Sequence, residues 1–190
     1  QLAGCPIPVL LEKPLDVSLD KIAEIVRFSE NYPAPIMVDH VMRYAPIIRK
    51  GRELIEQGRL GKICSFQFSQ RTDIGMFHTF RRTQSGGGGH IIEKATHDLD
   101  VLLYLTAAQP ESVSMISEQQ VVGGDKPDDL TCPECPEAID CRHAWLGETK
   151  PGKVKDIATS DKLCVYARSV DVPDNETCMI KLSGGIFGTY

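Results

Sequence analysis

A run of four glycines leads directly into an amphipathic segment at residues 86–105, GGGGHIIEKATHDLDVLLYL. Read as a helix, this segment places its apolar side chains on one stripe at spacings of three and four. That stripe comprises Ile92, Ala95, Leu99, Leu102, Leu103 and Thr106. The spacing predicts a helix that buries one face against a core.

A second stripe of the same helix is polar and titratable, with Glu93, His97, Asp100 and Tyr104 at i, i+4, i+7 and i+11. Such groups can relay or orient a proton when they line a cleft, although a solvated helix face has the same pattern. The preceding glycines allow either a close approach of the backbone to a ligand, a sharp entry into the helix, or a flexible loop.

The first forty residues have the signals of a parallel layer. Pro8–Glu12 is a short apolar run typical of a strand buried on both faces. Ser18 is a helix N-cap, the helix ends near Asn31, and Pro35–Val41 is the next strand. Strand, helix and strand in this order predict a right-handed parallel crossover.

Lys13 and Pro14 follow the first predicted strand directly. Open α/β sheets bind ligands at the carboxyl ends of their strands, so Lys13 is a candidate ligand contact, and the alternative is an exposed lysine. Pro14 fixes the chain direction there and is compatible with a cis peptide bond.

The chain beyond residue 42 predicts a second, different layer. A helix begins at Pro46 and ends at Gly58, with Ile47, Ile48, Gly51, Leu54 and Ile55 facing inward. Lys62–Gln70 alternates apolar and polar residues, as a half-covered strand of an antiparallel sheet does. Further strands are predicted at Glu111–Val121, from Val165 and Tyr166, and as a hairpin of Thr177–Leu182 and Ile186–Tyr190.

These signals predict an α/β (α+β) fold, in which the end of a parallel layer is followed by an α/β domain with an open, mainly antiparallel sheet. The open sheet face favours a homo-oligomer. A net charge of −5 without a basic cluster argues against nucleic acid and membrane surfaces as partners. No apolar run approaches the roughly 20 residues of a membrane span.

The seven cysteines suit a reducing compartment better than a disulfide framework, and we therefore expect a cytoplasmic protein. Cys132 and Cys135 form a C-x-x-C motif and Cys141 follows, so that Cys164 or His143 would complete a set of four ligands for tetrahedral, structural zinc. A loop of free thiols, or a disulfide formed on purification, is the alternative.

Three motifs together resemble the Gfo/Idh/MocA oxidoreductases. They are EKP at Glu12–Pro14, G-x-x-G-K at Gly58–Lys62, and a glycine run followed by Glu93, His97 and Asp100. The resemblance implies an N-terminal Rossmann domain for NAD or NADP and a C-terminal α/β domain for substrate and subunit contacts. Residues 1–42 would be the last part of the first domain and residues 43–190 an incomplete second domain, with a Cys-rich insertion at 130–158.

The chain starts without Met, stops inside a strand signal and lacks G-x-G-x-x-G. We therefore expect a protein truncated at both ends, whose shown part binds the cofactor weakly or not at all.

The resemblance also implies residue roles. Lys13 would hold the substrate hydroxyl, His97 would be the general base, and Glu93, at the place of the family's usual Asp, would orient the substrate or share the proton. Glu12, Lys13 and Pro14 would contact the cofactor, and Arg43, Tyr44 and Asp100 the substrate. The implied function is a nicotinamide-dependent dehydrogenase acting on a sugar, cyclitol or related polyol, and the alternative is a non-catalytic binding or assembly module with a structural zinc loop.

Overall fold

The computed structural model describes residues 7–145 and 162–190. Cys5 and the 146–158 part of the predicted insertion lie outside the described residues. The chain divides into two compact units. Unit 1 comprises Gln1–Phe68, Ile91–Ser114 and Met179–Tyr190, and unit 2 comprises Ser69–His90 and Met115–Cys178. Within residues 7–145 and 162–190, every helix is too short or too polar to cross a bilayer.

Unit 1 begins with the predicted parallel layer. Strand β1 (Val9–Glu12) pairs in parallel with β2 (Ile36–Asp39), and helix α1 (Leu19–Asn31) connects them. Ser18 is the N-cap of α1, although its side chain makes no capping hydrogen bond. The expectation that β1 is buried on both faces is wrong for the described residues, because this sheet has two strands and leaves Leu10 61% exposed.

Helix α2 (Pro46–Glu56) begins at the predicted proline. Four of its five predicted inward residues are partly buried, namely Ile48, Gly51, Leu54 and Ile55. Ile47 lies in the first turn of α2, directly after Pro46, and is 76% exposed. Its predicted burial is therefore wrong. The side chain of Arg52 donates to the carbonyl oxygens of Tyr104 (2.6 Å) and Leu105 (3.3 Å).

The central segment is a π-helical turn (Ile91–Ala95) followed by helix α3 (Thr96–Thr106). Helix α3 ends at Ala107, whose left-handed backbone (φ 52°) directs its N–H to the carbonyl of Leu103 at 2.9 Å. Ala95 and Leu102 of the predicted apolar stripe are buried, but so are Asp100 and Val101 outside it. The predicted stripe has the spacing of a regular α-helix, whereas the π turn at Ile91–Ala95 adds a residue to one turn and so rotates the faces that follow it.

The second sheet has the order β3–β6–β5–β4, with β3 at Ser65–Gln67, β4 at Pro110–Glu118, β5 at Asn175–Leu182 and β6 at Ile186–Thr189. The predicted hairpin of β5 and β6 is antiparallel and turns at Ser183–Gly185. Strand β3 pairs in parallel with β6, so its predicted antiparallel pairing is wrong. Alternation along one strand reports a covered face and carries no information on the partner's direction.

Strand β5 alternates between a covered and an open face. Ile180, Leu182 and, on β6, Ile186 are buried, whereas Met179 and Phe187 are 66% and 63% exposed. The sheet thus buries one apolar face and presents a second one, as the pleat of period two requires.

Unit 2 has its own apolar core, formed by Met76, Phe77, Val122, Val165, Ala167, Val170 and Val172. The strand predicted from Val165 and Tyr166 is wrong. Among the described residues around these positions, pairing is limited to the isolated bridges Lys126↔Ala167 and Thr131↔Leu163. Val165 and Ala167 are apolar because they fill this core, and a buried turn has the same composition as a short strand.

The glycine run packs tightly within unit 2. Gly87, Gly88 and Gly89 are buried. Gly89 has a φ of +69°, and an added Cβ would lie 2.9 Å from the Cβ of Val172. The glycines therefore serve close packing against Val172, which argues against a flexible loop; their approach to a ligand stays a prediction.

Candidate active site

Two basic side chains emerge from the carboxyl ends of the parallel strands. Lys13 follows β1 and His40 follows β2. Parallel strands end at the same edge of a sheet, which is where open α/β sheets place ligands. The peptide bond between Lys13 and Pro14 is cis.

Lys13 reaches the π-helical turn. Its Nζ donates to the carbonyl oxygen of Glu93 at 2.6 Å and lies 3.8 Å from Glu93 Oε1. The side chains of Lys13 and Glu93 are only 11% and 13% exposed. Two charges that are mostly withdrawn from water are costly unless paired, so this contact fixes both side chains.

His97 lies in the first turn of α3. Burial, followed by the positive charges of Lys13 and Lys94 and the nearby imidazole of His40, lowers the pKa of His97, whereas Asp98 raises it. The imidazole is therefore neutral at pH 7 and able to accept a proton. Within the described ranges 7–145 and 162–190, the buried Nδ1 of His97 has no hydrogen-bond partner.

His40 is a site residue that the sequence analysis missed. Its Nε2 lies 3.7 Å from Asp100 Oδ1, and its buried Nδ1 has no partner among the residues that the structure describes. The signal was present, because a polar residue directly after the second parallel strand occupies the same edge as Lys13.

Asp100 and Arg43, both predicted to contact substrate, contact each other. Arg43 Nε donates to Asp100 Oδ2 at 2.7 Å and its Nη2 donates to Oδ1 at 2.5 Å. Asp100 pairs through both oxygens and its side chain is 9% exposed. The hydrogen bond to Asp100 is the main reason that the pKa of Arg43 is raised. Their contacts with substrate stay a prediction.

The other predicted contacts lie at the surface of unit 1. Tyr44 is 59% exposed, with its hydroxyl 4.0 Å from Met37 Sδ. Glu12 is exposed at the end of β1, in register with Asp39 of β2. Pro14 is partly buried. None of these positions by itself defines a pocket.

The four predicted zinc ligands lie in unit 2 around one cavity of about 450 Å³, lined by Cys132, Cys135, Cys141 and Cys164. Burial, and then the nearby thiols of Cys135, Cys132 and Cys141, raise the pKa of Cys164. No disulfide joins the six described cysteines. Within the described part of the chain, no three metal-ligating side chains stand in an arrangement that holds a metal ion, so the structure as it stands does not support zinc.

The profile of the GFO/IDH/MocA C-terminal domain matches residues 48–190, three quarters of the chain. This chain belongs to the Gfo/Idh/MocA family. The motifs at Glu12–Pro14, Gly58–Lys62 and Glu93–Asp100 predicted this membership, which the match confirms.

Among curated proteins, YteT of Bacillus subtilis is 21% identical over 207 residues, which cover 96% of this chain and 48% of YteT. The chain spans about half the length of this relative, and less of MocA of Rhizobium meliloti (38%).

Two solved structures share the fold. Myo-inositol 2-dehydrogenase from Lactobacillus plantarum is 16% identical with a TM-score of 0.63. The match covers 96% of this chain and 42% of the dehydrogenase chain. Levoglucosan dehydrogenase in complex with NADH and levoglucosan is 18% identical with a TM-score of 0.69. The match covers 98% of this chain and 41% of the dehydrogenase chain. At these identities the likeness concerns the fold of this Gfo/Idh/MocA protein.

Proposed function

We propose that this Gfo/Idh/MocA protein supplies the acid–base and substrate-binding groups of a nicotinamide-dependent dehydrogenase. One observation carries the proposal. The ammonium of Lys13 is largely withdrawn from water beside Glu93, and its positive charge contributes to the lowered pKa that keeps the imidazole of His97 neutral. A cation beside an unprotonated base is what the oxidation of an alcohol needs, because the hydroxyl must be held while it loses its proton.

In this mechanism Lys13 holds the substrate hydroxyl and stabilises the negative charge that develops on its oxygen. His97 accepts the hydroxyl proton, and Glu93 orients Lys13 through their 3.8 Å contact. The acceptor for the hydride that leaves the substrate carbon would be supplied by NAD or NADP. The lowered pKa of His97 keeps the base unprotonated at neutral pH.

We propose that Glu12, Lys13 and Pro14 of the family motif EKP contact the nicotinamide end of the cofactor. Lys13 follows the carboxyl end of β1, the edge at which open α/β sheets bind ligands, and this position supports the proposal. The sequence contains no G-x-G-x-x-G, so we propose that the pyrophosphate is bound by residues outside 1–190.

We propose a sugar, cyclitol or related polyol as the substrate. The names of the two structural relatives, a myo-inositol and a levoglucosan dehydrogenase, support this class. Arg43 and Tyr44 are the proposed substrate contacts from the segment after β2, and Asp100 positions Arg43.

The proposed domain organisation keeps residues 1–42 as the last part of a Rossmann domain and 43–190 as an incomplete substrate domain. The family match to residues 48–190 supports the second assignment.

We further propose a homo-oligomer through the open face of the second sheet, supported by exposed Val113, Met179 and Phe187. We also propose a cytoplasmic location, because the chain has an odd number of cysteines and the six that the structure describes are unlinked.

The test uses the natural protein including any sequence beyond residues 1–190, with nicotinamide absorbance followed against a panel of sugars and cyclitols. Replacing the base, His97→Ala, should lower kcat by about 10²–10⁴-fold. Lys21→Met, at a lysine whose side chain is 67% exposed, is the control and should keep wild-type turnover. Turnover that survives His97→Ala removes this residue from the mechanism, and no turnover on any polyol favours a binding or assembly module.

A further inference from the structure

His40 lies at the edge of the parallel layer to which the proposed reaction is assigned. It follows β2 directly, as Lys13 follows β1, and the last residues of the two strands, Glu12 and Asp39, pair in register. His40 and Lys13 therefore occupy neighbouring positions at the carboxyl ends of parallel strands. The side chain of His40 is 26% exposed, so its imidazole is partly withdrawn from water and still in contact with it.

Asp100 connects this imidazole to the helix that carries the proposed base. Nε2 of His40 lies 3.7 Å from Oδ1 of Asp100, whose side chain is 9% exposed. Asp100 comes three positions after His97 in α3, and side chains at this spacing are neighbours on one helix face. After burial, Lys13 and Lys94, the imidazole of His40 is the next influence that lowers the pKa of His97, so the two rings interact. Both belong to unit 1.

Each of the two imidazoles has one buried nitrogen whose hydrogen-bonding capacity is unused. Within residues 7–145 and 162–190, Nδ1 of His40 and Nδ1 of His97 are both buried and have no hydrogen-bond partner. Nε2 of His97 is not closed off in this way, so it is the nitrogen left to meet a substrate hydroxyl. A histidine that takes a proton on one nitrogen and releases one from the other needs both nitrogens unblocked, and His97 meets this condition.

The charges beside the two rings differ in sign. Burial, and then the positive charges of two nearby lysines, lower the pKa of His97, so a proton placed on that ring is lost readily. His40 faces the carboxylate of Asp100 instead, and a carboxylate stabilises an imidazolium beside it. Arg43 shares this carboxylate, so the attraction is partial. The arrangement favours movement of a proton from His97 toward His40.

We propose that His40 is a proton carrier that takes the substrate proton from His97 and releases it to solvent. The substrate hydroxyl gives its proton to Nε2 of His97, and the proton on Nδ1 of that ring passes to Nδ1 of His40, directly or across one water. The imidazolium of His40, beside Asp100, then loses one proton to solvent. Both rings return to the neutral form, and one proton leaves for each substrate oxidised. This inference rests on the proposed dehydrogenase function.

The first experiment measures how turnover depends on a proton acceptor in solution. His40→Ala is made in the natural protein, including any sequence beyond residues 1–190, and polyol oxidation is followed by nicotinamide absorbance in dilute buffer. We expect kcat to fall by about 10²-fold, the lower end for a lost acid–base group, and to recover when imidazole is added. Hydride transfer in the first turnover, measured by rapid mixing, should keep the wild-type rate because His97 still takes the first proton. An unchanged kcat in dilute buffer, or a loss that imidazole does not restore, overturns the proposal.

Two further variants separate proton transfer from a structural role. His40→Gln keeps a donor for Asp100 but cannot carry a proton, so it should lose as much turnover as His40→Ala. Full turnover in His40→Gln without imidazole would show that a hydrogen bond is sufficient, and would overturn the carrier role. His143→Gln is the matched control, at a histidine of unit 2 whose Nδ1 contacts the hydroxyl of Tyr166 at 2.7 Å. It should keep the wild-type kcat and show no response to imidazole.

The second experiment, ¹⁵N NMR of the histidine rings, does not depend on turnover. The proposed path needs neutral His97 to carry its proton on Nδ1 and neutral His40 to carry its proton on Nε2, and ring-nitrogen shifts distinguish these forms. His40→Gln and His97→Ala assign the signals. The opposite form of either ring overturns the carrier path, even where His97→Ala abolishes turnover. Turnover that survives His97→Ala is instead a failure of the proposed base, and the carrier role then falls with it.

Discussion

Arg43 and Asp100 are joined by a two-point ion pair, with Nε–Oδ2 and Nη2–Oδ1 distances of 2.7 and 2.5 Å across 57 positions of sequence. Asp100 Oδ1 also lies 3.7 Å from His40 Nε2. The carboxylate thereby ties the segment after β2 to the middle of α3. It fixes the direction of one proposed substrate contact, Arg43, and lies near the imidazole of His40, which contributes to the lowered pKa of His97.

Asp100→Asn should lower the free energy of unfolding by about 1–3 kcal/mol, because the amide keeps the shape and loses the charge-assisted pair. The value is at the lower end because the Arg43 side chain is 44% exposed and screened by water. Urea unfolding measures it. Glu56→Gln, which breaks the exposed Arg52–Glu56 pair, should cost less than about 0.5 kcal/mol. Equal losses in the two variants would show that Asp100 is not held as described.

Lys13→Met should raise the pKa of His97, because it removes the positive charge that acts most strongly on that imidazole. In the wild type the acid limb of kcat/KM should lie below the ordinary histidine value of about 6.5, since the base loses activity only when it is protonated. NMR titration of the His97 ring in both proteins measures the shift without needing turnover. Lys21→Met should leave the pKa of His97 unchanged. If Lys13→Met also left it unchanged, the charge of Lys13 would not act on His97.

Gly89→Ala should destabilise unit 2 by more than about 2 kcal/mol, because the added Cβ combines a left-handed backbone with a 2.9 Å approach to Val172. Gly184→Ala has a similar φ of +75° with open space around the Cβ, and should cost only the backbone strain, about 1 kcal/mol. Thermal unfolding of both variants separates the cost of backbone strain, which both share, from the cost of the steric contact with Val172, which only Gly89→Ala has. A smaller loss for Gly89→Ala than for Gly184→Ala would contradict the tight packing of the glycine run.

Leu182→Ala should cost about 2–5 kcal/mol, because Leu182 is fully buried at the end of β5 and its removal leaves a cavity. Met179→Ala lies on the same strand, on the open face, and should change the free energy of unfolding by less than about 1 kcal/mol. Denaturant unfolding compares them directly. Similar losses would place both side chains in contact with a core.

Phe187→Asp should weaken self-association if the open sheet face joins subunits, because it places a charge among apolar side chains. Light scattering after size exclusion should show a smaller assembly than for the wild type. Ile139→Asp, at a side chain that is 91% exposed in unit 2, is the control and should keep the wild-type size. A wild-type protein that is monomeric at high concentration would contradict the proposed oligomer.

The sequence by itself determined the elements that depend on local chemistry. Helix α2 starts at Pro46 because proline suits the first helical position, and the β5–β6 hairpin turns at Ser183–Gly185 because the glycines adopt positive φ values. The parallel β1–β2 pair followed from strand, helix and strand in succession. The motifs at Glu12–Pro14 and Glu93–Asp100 were enough to identify the family.

Only the tertiary structure decided how distant segments meet. The direction of β3 depends on β6, about 120 residues later, where Gly188 leaves room for the carbonyl of Phe66. His40 joins the site, and Asp100 pairs with Arg43, because β2 and α3 end up adjacent. Local propensity and periodicity do not predict such contacts. The contacts contribute free energy only once chain segments far apart in sequence are packed together.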